Sequence, residues 1–313
     1  MEAVLIDPAK KGADKFYIGT VPVPRPVEGE VLIEVKAVAL SAWEKGFAQD
    51  DDPRSLARRT RKRIVNLGLE FSGVVHSSGR RFKAGQRVMG GTHLTKDEKS
   101  LAQYVAAREE YLAELPDDLA FTQAAALPIG AETALTGFGK AMPGGGDRVL
   151  VVGASGGVGV YAVQIAAALG ADVTAIGGKN SAPRLKELGA TTVHSYRDTS
   201  FEDLSGTYDT VFDLSGRLRF GQVTKKLSRT GAFVNVNPQK DLAGVIASLF
   251  SRRKAPFVYV PHSSATAQTS ILDMVARDAI TPVVEAVYDI RQFRTAFTDL
   301  TQNERFGKII ISY

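Results

Sequence analysis

The arrangement of apolar and polar positions changes period partway along the chain. Val31–Ala39, VLIEVKAVA, alternates apolar with polar residues as a half-buried strand does, and it follows the proline-rich turn Val21–Glu30. Leu69–Val75 and Arg87–Met89 predict further short strands, separated by the turns Ser78-Gly79 and Ala84-Gly85-Gln86. Short strands with Gly and Pro punctuation predict a small, β-rich twisted barrel. From Arg148 onward the pattern is different. Val149–Val152 is an unbroken apolar run too short for a helix, Gly153, Gly156, Gly157 and Gly159 follow, and an Ala-rich apolar segment then runs to Gly170. Beyond it, strand patterns at Asp172–Ile176, Thr192–His194, Tyr208–Asp213, Ala232–Val236 and Phe257–Val260 alternate with helical ones at Arg184–Leu188 and near Gly221–Leu227. That alternation predicts an α/β domain with a doubly wound parallel sheet, right-handed crossovers and six strands.

Strand, glycine turn and helix in this order are what a dinucleotide site needs. The glycines permit a tight turn and a close backbone approach to a pyrophosphate, whose charge then sits at a helix N-terminus. The competing reading, a glycine-rich turn that binds nothing, is disfavoured because the strand and helix are both present where the motif requires them.

The same residues carry a family likeness. Gly146-Asp147, Leu150, Ala154-Ser155-Gly156-Gly157, Gly159 and Gln164 resemble the signature of the quinone oxidoreductase and zeta-crystallin branch of the medium-chain dehydrogenase/reductases, with Ala167 where the family has a basic residue. PRPVEGEVLIEVKAVALS, GLEFSGVV, FKAGQRVMG and LAQYV resemble landmarks of that family's substrate domain, and ALPIGAETAL its segment beside the nicotinamide. The resemblance implies a six-stranded Rossmann domain over residues 123–280 and a GroES-like partial barrel formed by residues 1–122 and 281–313. It covers nearly the whole chain and fits poorly at residues 41–63 and 240–256.

Composition sets bounds. With 44% apolar and 23% charged residues the chain has the balance of a water-soluble globular protein. The absence of a transmembrane stretch or signal peptide leads to the expectation of a cytoplasmic protein. There are no cysteines, and the four histidines show no ligand spacing, so a metal-free protein is expected. Zinc-dependent relatives have a His beside the Glu of GLEFSGVV, and Leu69 stands there. Arg54, Arg58, Arg59, Arg61, Lys62 and Arg63 form a basic run after Asp50–Asp52, read as a solvated loop or helix rather than a cationic lip on a substrate cleft. No aromatic platform accompanies these charges, so nucleic acid is not the expected partner. Glu132 reads as an exposed helix carboxylate rather than a proton donor.

The end of the second Rossmann strand bears on cofactor choice. An NAD site places an acid there to accept from the ribose hydroxyls. This chain has Ile176-Gly177-Gly178-Lys179-Asn180-Ser181, while Lys179, Ser181, Arg184 and Tyr196 offer donors to a 2′-phosphate. NADPH is the expected cofactor. The cofactor-binding candidates are Thr133, Ser155, Gly156, Gly157, Val158, Gly177, Gly178, Lys179, Ser181, Tyr196, Leu214, Ser215, Asn235 and Lys308, several of them by resemblance alone. Ser41, Trp43, Phe47 and Thr133 are the substrate-pocket candidates. By resemblance, the apolar strand Phe257–Val260 pairs with its mate across a homodimer axis, which would also cover an aggregation-prone edge.

Without a Lewis acid, hydride transfer to a conjugated acceptor is easier than carbonyl chemistry, because charge delocalises over the acceptor. The expected activity is reduction of a quinone or activated alkene (enone or enal). Two alternatives stand beside it: a 2-enoyl thioester reductase acting on a CoA or carrier-protein substrate, and an NADPH-binding protein with little turnover that associates with polyanions.

Overall fold

The computed structural model describes residues 1–301 and 304–313. In chain order the strands are β1 (Glu2–Ile6), β2 (Phe16–Thr20), β3 (Glu30–Leu40), β4 (Glu70–Val75), β5 (Arg87–Gly91), β6 (Tyr104–Arg108), β7 (Leu112–Glu114), β8 (Arg148–Val152), β9 (Asp172–Gly177), β10 (Thr192–Ser195), β11 (Tyr208–Asp213), β12 (Leu227–Asn235), β13 (Val284–Asp289) and β14 (Lys308–Ser312). The helices are α1 (Ala42–Ala48), α2 (Pro53–Thr60), α3 (Phe121–Ala124), α4 (Pro128–Ala141), α5 (Gly159–Ala168), α6 (Ala182–Glu187), α7 (Phe220–Val223), α8 (Leu242–Leu249), α9 (Ala265–Ala276) and α10 (Phe293–Thr301).

β3 is the hub of the first sheet. Its first half pairs with β6 and its second half with β14, while β4 runs along its other side. One strand with three partners bends, and the register shift between Val35 and Ala37 marks a bulge that helps it do so. The sheet order is β13-β14-β3-β4-β5-β7, wrapped on a core that includes Val31, Ile33, Val35, Phe71, Val88 and Leu112. The C-terminal strands thus return to the N-terminal half of the chain.

The second sheet is parallel, with order β10-β9-β8-β11-β12. A sixth strand at Phe257–Val260 does not form as expected. The chain instead meets β12 earlier, through isolated bridges at Lys254 and Phe257. Phe233 N donates to Lys254 O, Asn235 N to Pro256 O, and Val258 N to Asn235 O. Pro256 and Pro261 flank this segment and lack N–H donors, so a regular ladder cannot extend through it. α5 lies against the sheet with Gly159 through Ala166 buried, which explains why its sequence is apolar nearly all round.

Two buried groups tie the sheets together. Tyr161 on α5 donates from its hydroxyl to Ala126 O at 3.0 Å and accepts from Val283 N at 3.3 Å. Lys308 on β14 forms an ion pair with Glu70 on β4, both nearly fully buried. Glu70 also accepts from Ile129 N at 2.9 Å and Gly130 N at 3.3 Å, in the first turn of α4. Burial pushes the Glu70 carboxyl above its usual range, and the Lys308 ammonium opposes that shift. Lys308→Met strands a buried carboxylate, and urea denaturation should show a loss of about 3–5 kcal/mol, with Glu70→Gln/Lys308→Met recovering most of it. A double variant whose loss equals the sum of the Lys308→Met and Glu70→Gln losses would show that the pair does not couple.

Candidate active site

The glycine turn sits at the carboxyl end of β8, where the strand order reverses between β9 on one side and β11 on the other. Open α/β sheets bind ligands in the crevice at such a point. α5 begins at Gly159 with Val158 at its N-cap and no side chain capping it; Val160 N and Tyr161 N turn back to Gly156 O and Val158 O, at 3.1 Å each, and the positive end of the helix faces the glycine turn. A Cβ on Gly159 would lie 2.2 Å from Gly153 O, so only glycine lets the helix close on the strand. A Cβ on Gly156 would meet nothing nearer than 3.4 Å, leaving that face free for a ligand.

Most of the predicted cofactor residues converge here. Ser155 Oγ accepts from Gly178 N at 3.2 Å, Ser181 Oγ donates to Gly178 O at 2.7 Å, and Tyr196 N donates to Gly177 O at 3.1 Å. Tyr196 and Lys179 leave their side chains exposed at the end of β9. Leu214 and Ser215 follow β11 and lie against Gly153, within 3.5 Å of where its Cβ would be. Asn235 ends β12 with its Oδ1 accepting from Asn237 N at 2.7 Å. The Lys308 stem would come within 2.9 Å of a Cβ on Gly157, so this lysine lies beneath the turn with its ammonium directed to Glu70. Thr133 is half-buried on α4.

Beside the β9 end lies a cavity of about 140 Å³ lined by Gly178, Asn180, Ser181, Arg184, Glu285, Glu304, Arg305 and Phe306. Arg184 stacks its guanidinium 3.9 Å from the Phe306 ring centroid. Arg305 had no signal in the sequence reading, because only the return of the C-terminal segment brings it here. Burial lowers its pKa. Glu304 also faces this cavity, but Arg197 Nε holds it at 2.6 Å.

The substrate-pocket candidates separate. Phe47 is fully buried in the barrel core, with the Arg59 guanidinium 3.7 Å from its ring centroid, so it presents no face to a substrate. Ser41 is an N-cap: its Oγ accepts from Trp43 N at 3.1 Å and donates to Glu44 Oε2 at 2.7 Å. Trp43 remains half-buried, with Nε1 donating to Asn66 O at 2.8 Å. The basic run is only partly solvated. Arg59 pairs with Asp50 at 3.1 Å and Arg63 Nη2 donates to Thr95 O at 2.7 Å.

Glu132 is a correction. It is 5% exposed, not a surface carboxylate. Its Oε2 accepts from Gln268 Nε2 at 2.6 Å and from Ser264 N at 3.2 Å, at the start of α9. Burial raises its pKa to about 7, opposed by these donors and by nearby His262. Among the described residues, no cluster of His, Cys, Asp and Glu is arranged to hold a metal ion, and no helix is long and apolar enough to cross a membrane.

A parallel sheet carrying a glycine turn at its switch point, joined to a β-rich domain completed by the C-terminal strands, defines a two-domain nicotinamide-dependent oxidoreductase. Residues 27–117 match the alcohol dehydrogenase GroES-like domain and residues 188–311 the zinc-binding dehydrogenase domain. The chain is 30% identical over 308 residues to 2-methylene-furan-3-one reductase of Solanum lycopersicum, covering 93% of this chain and 74% of that protein. It is 28% identical over 314 residues to the chloroplast envelope quinone oxidoreductase homolog of Arabidopsis thaliana, covering 93% and 92%. The solved quinone oxidoreductase of Coxiella burnetii superposes with a TM-score of 0.88 at 25% identity, covering 100% of this chain and 99% of that one. The chain belongs to the quinone oxidoreductase family of the medium-chain dehydrogenase/reductases.

The raised pKa of Glu132 has a pH consequence. The folded state holds its proton more tightly than the unfolded chain, so this group's contribution to stability falls as pH rises from about 4.5 to about 7 and is constant above. Glu132→Gln keeps an acceptor for Gln268 and Ser264, and thermal melts should show a flatter stability profile than wild type across that window. An unchanged slope would place the titration elsewhere.

Proposed function

We propose that the protein is an NADPH-dependent reductase of quinones or activated alkenes, with residues 123–280 binding the cofactor and residues 1–122 and 281–313 shaping the acceptor site. One observation carries the cofactor reading. Ser155, Gly178, Ser181 and Tyr196 meet at the carboxyl end of β9, where the strand carries no acid, beside a cavity that Arg184 and Arg305 line. An NAD site needs a carboxylate at that strand end, whereas a 2′-phosphate needs cations and hydroxyls. Lys179, Arg184, Arg305 and the Tyr196 hydroxyl supply them, Ser181 Oγ fixes Gly178 by donating to its carbonyl, and Arg197 pairs with Glu304.

When bound, the reduced nicotinamide supplies a hydride. The chain's own residues do the rest. The turn Ser155–Val158 and the positive end of α5 would hold the pyrophosphate, Leu214, Ser215 and Asn235 border the crevice, and the barrel limits water. Leu69 beside Glu70, and a chain free of cysteine, support chemistry without a metal, for which a conjugated acceptor is the suitable partner. Thr133 and Trp43 are the retained acceptor-side residues, with protonation from solvent. The apolar segment Phe257–Val260, with Phe257 43% and Tyr259 61% exposed, supports a homodimer through that edge.

Titration calorimetry should give NADPH at least about tenfold tighter binding than NADH, and Lys179→Ala should weaken NADPH about tenfold or more while leaving NADH unchanged. Equal affinity for the two dinucleotides would refute the phosphate site. Steady-state rates against quinones, enones and enoyl thioesters then identify the acceptor class, and oxidation confined to thioesters would replace the quinone and alkene reading.

A further inference from the structure

Residues 53–63 carry six cations and no acid. Arg54, Arg58, Arg61 and Lys62 are exposed, and among the described residues their side chains make no hydrogen bond or ion pair. Arg54 and Arg58 lie four apart on α2, and Arg58 and Lys62 four apart across its C-terminal end; like charges at that spacing repel. The helix dipole favours cations in the last turn alone, which accommodates Arg58 and not Arg54. A helix that merely faces water normally mixes the two signs.

The acids flanking the run do not balance it, because each is already engaged. Asp50 accepts from Ser55 Oγ at 2.7 Å and pairs with Arg59. Asp51 accepts from the buried Lys15 ammonium at 2.7 Å and from Gly12 N at 2.9 Å. Asp52 caps α2 through Arg54 N at 3.0 Å, and Glu98 accepts from Ile64 N and Val65 N. The helix is also fastened to Trp43, the acceptor-side residue. Arg59 sets its guanidinium 3.7 Å from the Phe47 ring centroid and 5.9 Å from that of Trp43, and the chain leaving α2 reaches Asn66, whose carbonyl receives Trp43 Nε1.

We infer that Arg58, Arg61 and Lys62 select acceptors that carry an anionic group beside the conjugated system, drawing in and holding that group while the reducible part reaches Trp43. Unpaired cations of one sign next to a binding site raise the local concentration of an anionic substrate. A bilayer suits the face less well, since Leu56, the apolar side chain of α2 that could insert, is fully buried. The inference rests on the reductase reading for its acceptor, but none of these three residues lines the β9 cavity or the glycine turn.

Matched acceptors test it: phenanthrenequinone and its carboxylate, and benzylideneacetone and its para-carboxylate. Trp43 is the sole tryptophan, so quenching of its fluorescence in the full chain with NADP⁺ reports acceptor binding without turnover. At low salt the carboxylate of at least one pair should bind at least about tenfold tighter than its neutral partner, and the margin should shrink as salt rises. Arg58→Gln/Arg61→Gln/Lys62→Gln should reduce that margin to about twofold or less, with unchanged circular dichroism, and in NADPH oxidation the loss should fall on KM and not on kcat. A margin that survives the triple substitution overturns the inference. So does a wild type that treats the members of each pair alike, and salt-sensitive retention on single-stranded DNA would then give the face to a polyanion. A chain that shows the binding margin yet oxidises no NADPH refutes the reductase reading and leaves the anion selection standing.

Discussion

The Glu70–Lys308 pair is the constraint that the site depends on. A buried carboxylate and a buried ammonium are each costly, and they persist only where geometry and additional hydrogen bonds offset the loss of water. Here β4 supplies the acid, β14 the base, and the first turn of α4 two N–H groups. The Lys308 stem also packs beneath Gly157, so the glycine turn, the barrel and the connecting helix meet at one point. A slip of β14 by one residue against β3 would turn Lys308 to the opposite face and leave Glu70 unpaired. The register of the last strand is thereby coupled to the position of the glycine turn.

The parts of the fold that were legible beforehand rest on local rules. Val149–Val152, the glycines and the apolar segment after them read as strand, turn and helix because each step follows from backbone freedom and periodicity over a few residues. The same holds for Val31–Ala39, whose alternation survives as β3 with one bulge. The cofactor candidates near Ser155 and Gly178 were legible because a parallel sheet brings the carboxyl ends of its strands together whatever the loops contain.

What was not legible depends on residues far apart in sequence. Glu132 looks like a surface acid until Gln268, on a different helix, covers it and donates to it. Phe47 beside Trp43 suggests an aromatic pocket, yet the barrel core takes Phe47 and Arg59 closes over it. Arg305 joins the β9 cavity only because the C-terminal segment returns across the second sheet. The missing sixth strand is the exception: its cause was local and visible, since Pro256 and Pro261 bracket Phe257–Val260 in the sequence.

The β9 cavity is assembled from two parts of the fold. Gly178, Ser181 and Arg184 belong to the dinucleotide sheet and its following helix, whereas Glu285 and Arg305 come from the segment that rejoins the barrel. A ligand filling it touches both. By mass action, any molecule that binds only this assembled state stabilises the docking of the two sheets as well as the site itself. The carboxylates inside the cavity then act as placeholders for an anion. The lining sets the guanidinium groups of Arg184 and Arg305 against the carboxylates of Glu285 and Glu304, and because Arg197 pairs with Glu304 the balance left is positive. The ion pair that occupies Glu304 is therefore what leaves the cavity a net positive lining, the charge an anionic ligand needs.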